Sequence, residues 1–201
     1  MRNLPWALAL GCLALTGLVR AWNATAQPAA LALARRVGDF LLATMITGDR
    51  LARVFKAGAT KLDGTLEDYA FVAAGLFELG EATFDARYWD AAAALIGAVR
   101  ARFYEPTDGG VFYLTAVDDP EPLIHRPESH HDGAMPSGAA VAVEGLIRLG
   151  YVRADAEALA IAERYLERRL VSGALGPLGA ARLLGALDLF LHAQCVVVTD
   201  G

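Results

Sequence analysis

Two kinds of helical pattern alternate along the chain. From Thr65 the stretch "TLEDYAFVAAGLFELGEATF" is apolar on almost every side, as a helix buried all round must be. The stretch after it, "ARYWDAAAALIGAVRARFY", is one-faced: Tyr88, Ala91, Leu95, Val99 and Phe103 recur at helical spacing, with Asp90, Arg100 and Arg102 off the stripe. The same alternation flanks this pair. Trp6 to Trp22 is nearly all apolar, and Pro28 to Ile46 has a stripe of Leu31, Ala34, Val37, Leu41 and Met45. Gly138 to Leu149 is mostly apolar, Ala154 to Leu170 carries Glu157, Glu163, Arg164, Glu167 and Arg168, and Pro177 to His192 opens another apolar helix.

Buried helices alternating with half-exposed ones predict two concentric layers, an inner ring of apolar helices and an outer ring of amphipathic ones. The expected class is all-α: a partial α/α toroid of helical hairpins, with a stacked-hairpin solenoid as the structural alternative. Short extended pieces interrupt the helices. "RLARVFKAG" and "GGVFYLTAV" read as strands bounded by glycine, "EPLIHRP" returns against the second, and the closing "CVVVTDG" reads as a strand broken by turn residues. In a toroid the connections that precede inner helices lie on one rim. The segments "KLDGTLED" and "HRPESHHDGAMPSG" therefore open on the same side.

The chain has 201 residues, 55% hydrophobic and 20% charged, which suits one domain (residues 1–201) with a sizeable core. The net charge of −5 argues against nucleic acid as a partner. Cys12 and Cys195 are far apart and in no CxxC pair. The first segment is read as an inner helix, and the protein as cytoplasmic. Its apolar run and small residues also resemble a signal peptide, which would make the protein exported. Arg20 ends the run too early for a membrane span, so no membrane partner is expected.

The chemistry concentrates in "HRPESHHDG". A zinc site from His125, His130, His131 and Asp132 matches no standard spacing, and adjacent histidines on a strand point apart, so neither metal nor cofactor is expected. Sugar-active toroids work with acids or histidines on the open rim. On that basis Asp132, Glu67, Asp68 and His131 are the catalytic candidates, and Arg126, Tyr113 and Ser137 the substrate-binding ones. The structural alternatives are specific. Thr65 with Asp68 reads as a capping box, Ser137 as an N-cap, and Tyr69, Phe71 and Trp89 as core. Arg126 is expected close enough to Asp132 to hold the loop shut.

The segments "LEDYAFVAAGLFELGEATFD", "GGVFYLT", "HRPESHHDGAMPSG" and "ALDLFLHAQCVVVTDG" resemble, in this order, the helical part of the DUF255 family. Its members are thioredoxin-domain-containing proteins of the spermatogenesis-associated protein 20-like type. The resemblance implies a toroid of the six-hairpin glycosidase type, similar to the N-acylglucosamine 2-epimerases, and a thioredoxin-like domain that this chain lacks. Glu128 stands where the family has lysine, and Ala139 and Ala140 replace its asparagine and serine. Two function classes follow. One is a toroid fragment that binds or processes a sugar at its rim loops. The other is a non-catalytic scaffold or remnant that self-associates or pairs with the missing half of the toroid. Whether the chain is an enzyme is left open by these residues.

Overall fold

The computed structural model describes residues 7–120, 124–128, 130–171 and 176–194. The closing segment expected as a strand lies outside them. The α-helices, in chain order, are α1 (Ala7–Thr25), α2 (Pro28–Phe40), α3 (Leu66–Thr83), α4 (Ala86–Arg102), α5 (Gly138–Arg153), α6 (Ala156–Val171) and α7 (Ala181–His192). Helices α1, α3, α5 and α7 pack side by side in that order, and α2, α4 and α6 each lie against the inner helix before them. This is the two-layer arrangement that the alternating periodicity predicts.

The inner layer is built for close approach. Leu15 of α1 is fully buried, and a Cβ at Gly75 of α3 would stand 3.0 Å from its Cδ2. Burying one such leucine stabilises the fold by roughly 1.5–3 kcal/mol. Capping starts the two central inner helices. Thr65 precedes α3, its backbone N–H held by Asp68, and the Ser137 hydroxyl accepts the Ala140 N–H at 3.1 Å to start α5.

The structure corrects three details of the sequence reading. The helix expected to run from Pro28 to Ile46 stays α-helical only to Phe40. Its last turn, Leu41–Met45, is a π-helix that places Leu41 and Met45 both in the core, and Ile46 already begins a strand. That strand, β1 (Ile46–Thr47), pairs antiparallel with β2 (Arg50–Lys56), which pairs with β3 (Ala59–Asp63) across the two-residue turn Ala57–Gly58. The sequence reading took the start of "KLDGTLED" as loop. It is strand, and all five β3 residues are exposed, so no apolar alternation marks them. Arg102, placed off the buried stripe of α4, is only 6% exposed.

A second ribbon pairs β4 (Tyr104–Glu105) with β5 (Val111–Phe112). It continues as a bridge from Tyr113 to Glu128, with the Leu114 N–H donating to Pro127 O at 2.8 Å, so the expected return of "HRP" against the strand is present. The Leu66 N–H donates to Leu114 O at 3.0 Å, and a Cβ at Gly138 would stand 2.7 Å from Glu67 Cγ. The starts of α3 and α5 thus share one rim, as the connectivity requires.

Candidate functional site

The rim loop before α5 is held by Asp132. Its Oδ1 accepts the Ser137 N–H at 2.8 Å, and its Oδ2 accepts the Arg182 N–H, at the start of α7, at 2.7 Å. Its own N–H donates to Gly179 O at 3.0 Å. Both oxygens are engaged by backbone donors, so the carboxylate ties two helix starts together. Arg126 does not close the loop onto it. Its guanidinium donates to the carbonyls of Thr115 and Arg102 and lies 4.3 Å from the centre of the Tyr113 ring. Tyr113, read as a stacking surface for sugar, has this cation over its ring.

The other rim candidates divide. Asp68 is 3% exposed, and its Oδ2 accepts the Thr65 N–H at 2.9 Å and hydroxyl at 3.0 Å, with Arg53 Nε 3.5 Å away. That is the capping alternative, realised. Ser137 is 4% exposed and is the N-cap of α5. Glu67 sits half-buried against Gly138. His131 is exposed and lies on Gly179, where a Cβ would meet its Cε1 at 2.5 Å. His130 turns instead to Glu128, 3.5 Å from its Nδ1, and Glu128 is also paired with Arg169. Burial, and then Arg169, hold the His130 imidazole below its usual value. Among the described residues no three His, Cys, Asp or Glu side chains gather as a metal ion would need. No described helix is long and apolar enough to cross a membrane.

Beside the rim, Arg102 organises a network. Its Nε donates to Asp118 at 2.8 Å, its Nη1 to the Tyr69 hydroxyl at 2.7 Å, and its Nη2 to Asp63. The Tyr69 hydroxyl donates to Asp63 Oδ1 at 2.9 Å and accepts the Leu51 N–H at 2.9 Å. Arg50 adds ion pairs to Asp63 and Asp118. Burial alone would raise both carboxyls. The hydrogen bonds from the arginines, and from Tyr69 to Asp63, outweigh it and hold both below the usual range. Burial pushes the Tyr69 hydroxyl up to about 12. Two arginines balance two aspartates and the donors are met, so this cluster fastens β2 and β3 to α3 and α4.

A second polar set lies on the concave face of the inner helices, which sequence reasoning passed over. Arg20 of α1 pairs with Glu78 of α3 at 2.9 Å, and this bond raises the arginine's affinity for its proton. Glu144 of α5 pairs with Arg182 of α7 and, at 3.3 Å, with Arg148, which also holds Glu81 of α3. Phe77 and Gly80 of α3 meet Trp89 of the outer helix α4, and Glu81 and Arg148 border a cleft with the same Trp89. Burial pushes Glu81 above the usual carboxylate range; Arg148 offsets part of this, and Glu78 and Glu144 add to it. A cleft of about 130 Å³ opens here, lined by Leu13, Thr16, Arg20, Phe71, Ala74, Pro136, Val141 and Arg182. Pro136 brings the rim loop to its edge. Two buried atoms on this face have no hydrogen-bond partner among the described residues, Glu78 Oε2 and Arg182 Nε. The available signal was the acids Glu78, Glu81 and Glu144, which interrupt otherwise apolar helices.

No family model matches the chain. An 86-residue stretch is 37% identical to spermatogenesis-associated protein 20 of Mus musculus and 33% identical to that of Rattus norvegicus. It covers 43% of this chain and 11% of each relative. The structure is similar to a GH76 α-mannanase from Bacteroides thetaiotaomicron, with a TM-score of 0.67 at 16% identity, covering 91% of this chain and 52% of that one. The chain thus has the fold of a glycosidase-type α/α toroid, matched over about half the length of the mannanase.

Proposed function

We propose that the concave face of the inner helices binds a carbohydrate, with Thr16, Arg20 and Arg182 as its polar contacts and Phe71 as its flat apolar wall. The observation that carries this reading is the pair of buried, unmet atoms on that face, an acceptor at Glu78 Oε2 and a donor at Arg182 Nε. A sugar hydroxyl both donates and accepts, so adjacent hydroxyls satisfy such a pair. A purely apolar ligand would leave both atoms desolvated at a cost of about 1–3 kcal/mol each. The likeness to an α-mannanase fold supports the ligand class. Asp132 and Ser137 shape the mouth of the cleft by bracketing Pro136. An acid–base role falls to His131 at the rim, since Asp68 and Asp132 are committed to backbone and hydroxyl donors.

Thermal-shift and calorimetric titration with mannose, N-acetylglucosamine and mannose oligosaccharides tests this. At least one should raise the melting temperature. Arg20→Gln should weaken that binding about tenfold, as expected for losing a hydrogen bond from a charged group. A panel of sugars that leaves the melting temperature unchanged ends the proposal.

The match to 52% of the mannanase chain favours a second reading, a helical scaffold that associates with further toroid helices. In that case light scattering gives a concentration-dependent mass, and no sugar shifts the melting temperature.

A further inference from the structure

The cleft on the concave face is lined by charge of one sign. Arg20 enters it from α1 and Arg182 from α7, and among the described residues that line it none is an acid. Arg20 donates to Glu78 and Arg182 pairs with Glu144, but neither glutamate is among the lining residues. A guanidinium carries five N–H donors, so an ion pair with one carboxylate leaves others to be met. The buried Nε of Arg182 has no partner among the described residues.

Donors of this kind are met best by an anionic oxygen. A charge-assisted hydrogen bond is roughly twice as strong as a neutral one, and a carboxylate or phosphate offers the guanidinium fork two acceptors at once. The glutamates already paired with these arginines do not exclude a second anion. Elsewhere in the molecule one arginine serves two carboxylates: Arg148 holds both Glu81 and Glu144, and Arg102 holds both Asp63 and Asp118. The rest of the lining suits a sugar ring, with Phe71 and Leu13 apolar and Thr16 supplying a hydroxyl. At about 130 Å³ the cleft lies below the roughly 300–1,000 Å³ of a drug-sized site, so it takes one ring and not a chain of them.

We propose that the carbohydrate bound here is acidic: a single hexose ring bearing a carboxylate or a phosphate, which Arg20 and Arg182 hold. The proposal rests on the carbohydrate reading above and adds the charge of the ligand to it.

Calorimetric titration with glucose, galactose and mannose, each beside its own uronate and its own 6-phosphate, tests this. For at least one hexose an acidic form should bind at least about tenfold tighter than the neutral sugar. Whether the uronate or the 6-phosphate is the tighter identifies the anionic group. Arg20→Gln and Arg182→Gln should each bring that ratio close to one, and Arg20→Lys, which keeps the charge, should preserve part of it. The ratio is insensitive to a general loss of stability, so it separates recognition of the anion from a structural role. Neutral sugars that bind as tightly as their acidic forms overturn the proposal and leave the carbohydrate reading standing. A ratio that neither glutamine change moves also overturns it, as does binding of acetate or inorganic phosphate as tight as that of the acidic sugar. If no sugar of either kind binds, both readings fall.

Discussion

Asp132 accepts the backbone N–H of Arg182 at 2.7 Å, joining residues fifty positions apart. Its other oxygen takes the Ser137 N–H, so one carboxylate serves the approaches to α5 and α7 together. A group placed in this way governs the fold of the rim before it can govern a reaction there.

Asp132→Ala should therefore lower the stability by about 1–3 kcal/mol, because two partly buried N–H groups lose their acceptor. Asp132→Asn keeps one acceptor oxygen and should lose less. Urea denaturation of both variants checks this. An alanine variant as stable as the parent would free the carboxylate for chemistry and reverse the assignment.

The Arg102 network predicts an acid-sensitive fold. Asp63 and Asp118 hold their protons less tightly folded than unfolded. Their contribution is full above the unfolded carboxylate value, about 4, and is lost as pH falls through the lower folded values. Arg102→Met should cost about 3 kcal/mol at neutral pH, the lower end for a broken buried pair, since Asp63 and Asp118 are 35% and 41% exposed. It should also flatten the decline of the urea midpoint toward acid. An unchanged pH slope in the methionine variant would remove the network from that role.

Phe84 ends α3 in the left-handed region, at φ 54°, with 82% of its surface exposed. A side chain gains little contact there and strains the backbone, so Phe84→Gly should stabilise the protein by about 1 kcal/mol. In a chain of this size that is a rise of about 2–4 °C in melting temperature, read by calorimetry. A fall would mean that the phenyl ring makes contacts that outweigh the strain.

Two helical glycines should respond with opposite signs. A Cβ at Gly38 would stand 2.5 Å from Leu79 Cδ2 and 2.9 Å from Tyr88 Cε1, so Gly38→Ala should cost about 1–3 kcal/mol through overpacking. At Gly97 of α4 nothing lies within 4 Å, and Gly97→Ala should gain up to about 1 kcal/mol from helix propensity. Paired denaturation curves decide both.

The layers were legible because burial sets the period of a helix directly. Leu15 and Val19 of α1 behave as the apolar run requires, and Thr65 with Asp68 caps α3 as the spacing suggests. Strand β3 was not legible, since an exposed ribbon edge needs no apolar alternation, and only the turn at Ala57–Gly58 betrays it. The site was harder still. Asp132 looked reactive because it sits among histidines and glycines, and its real partners come from a helix start fifty residues on. Arg102 looked solvated because it falls off the apolar stripe, yet a long side chain can reach partners supplied by a hairpin that the periodicity did not show.

The ion pairs on the concave face have a consequence for how the helices sit along their axes. Leu15 against Gly75 is a smooth seam, and smooth seams tolerate sliding. A slide of one turn, about 5.4 Å, would break the pairing of Arg20 with Glu78, of Glu144 with Arg182 and of Arg148 with Glu81. The charges therefore act as teeth: each inner helix meshes with the next at one setting, and the mouth of the cleft keeps its shape because the helices beneath it cannot ratchet.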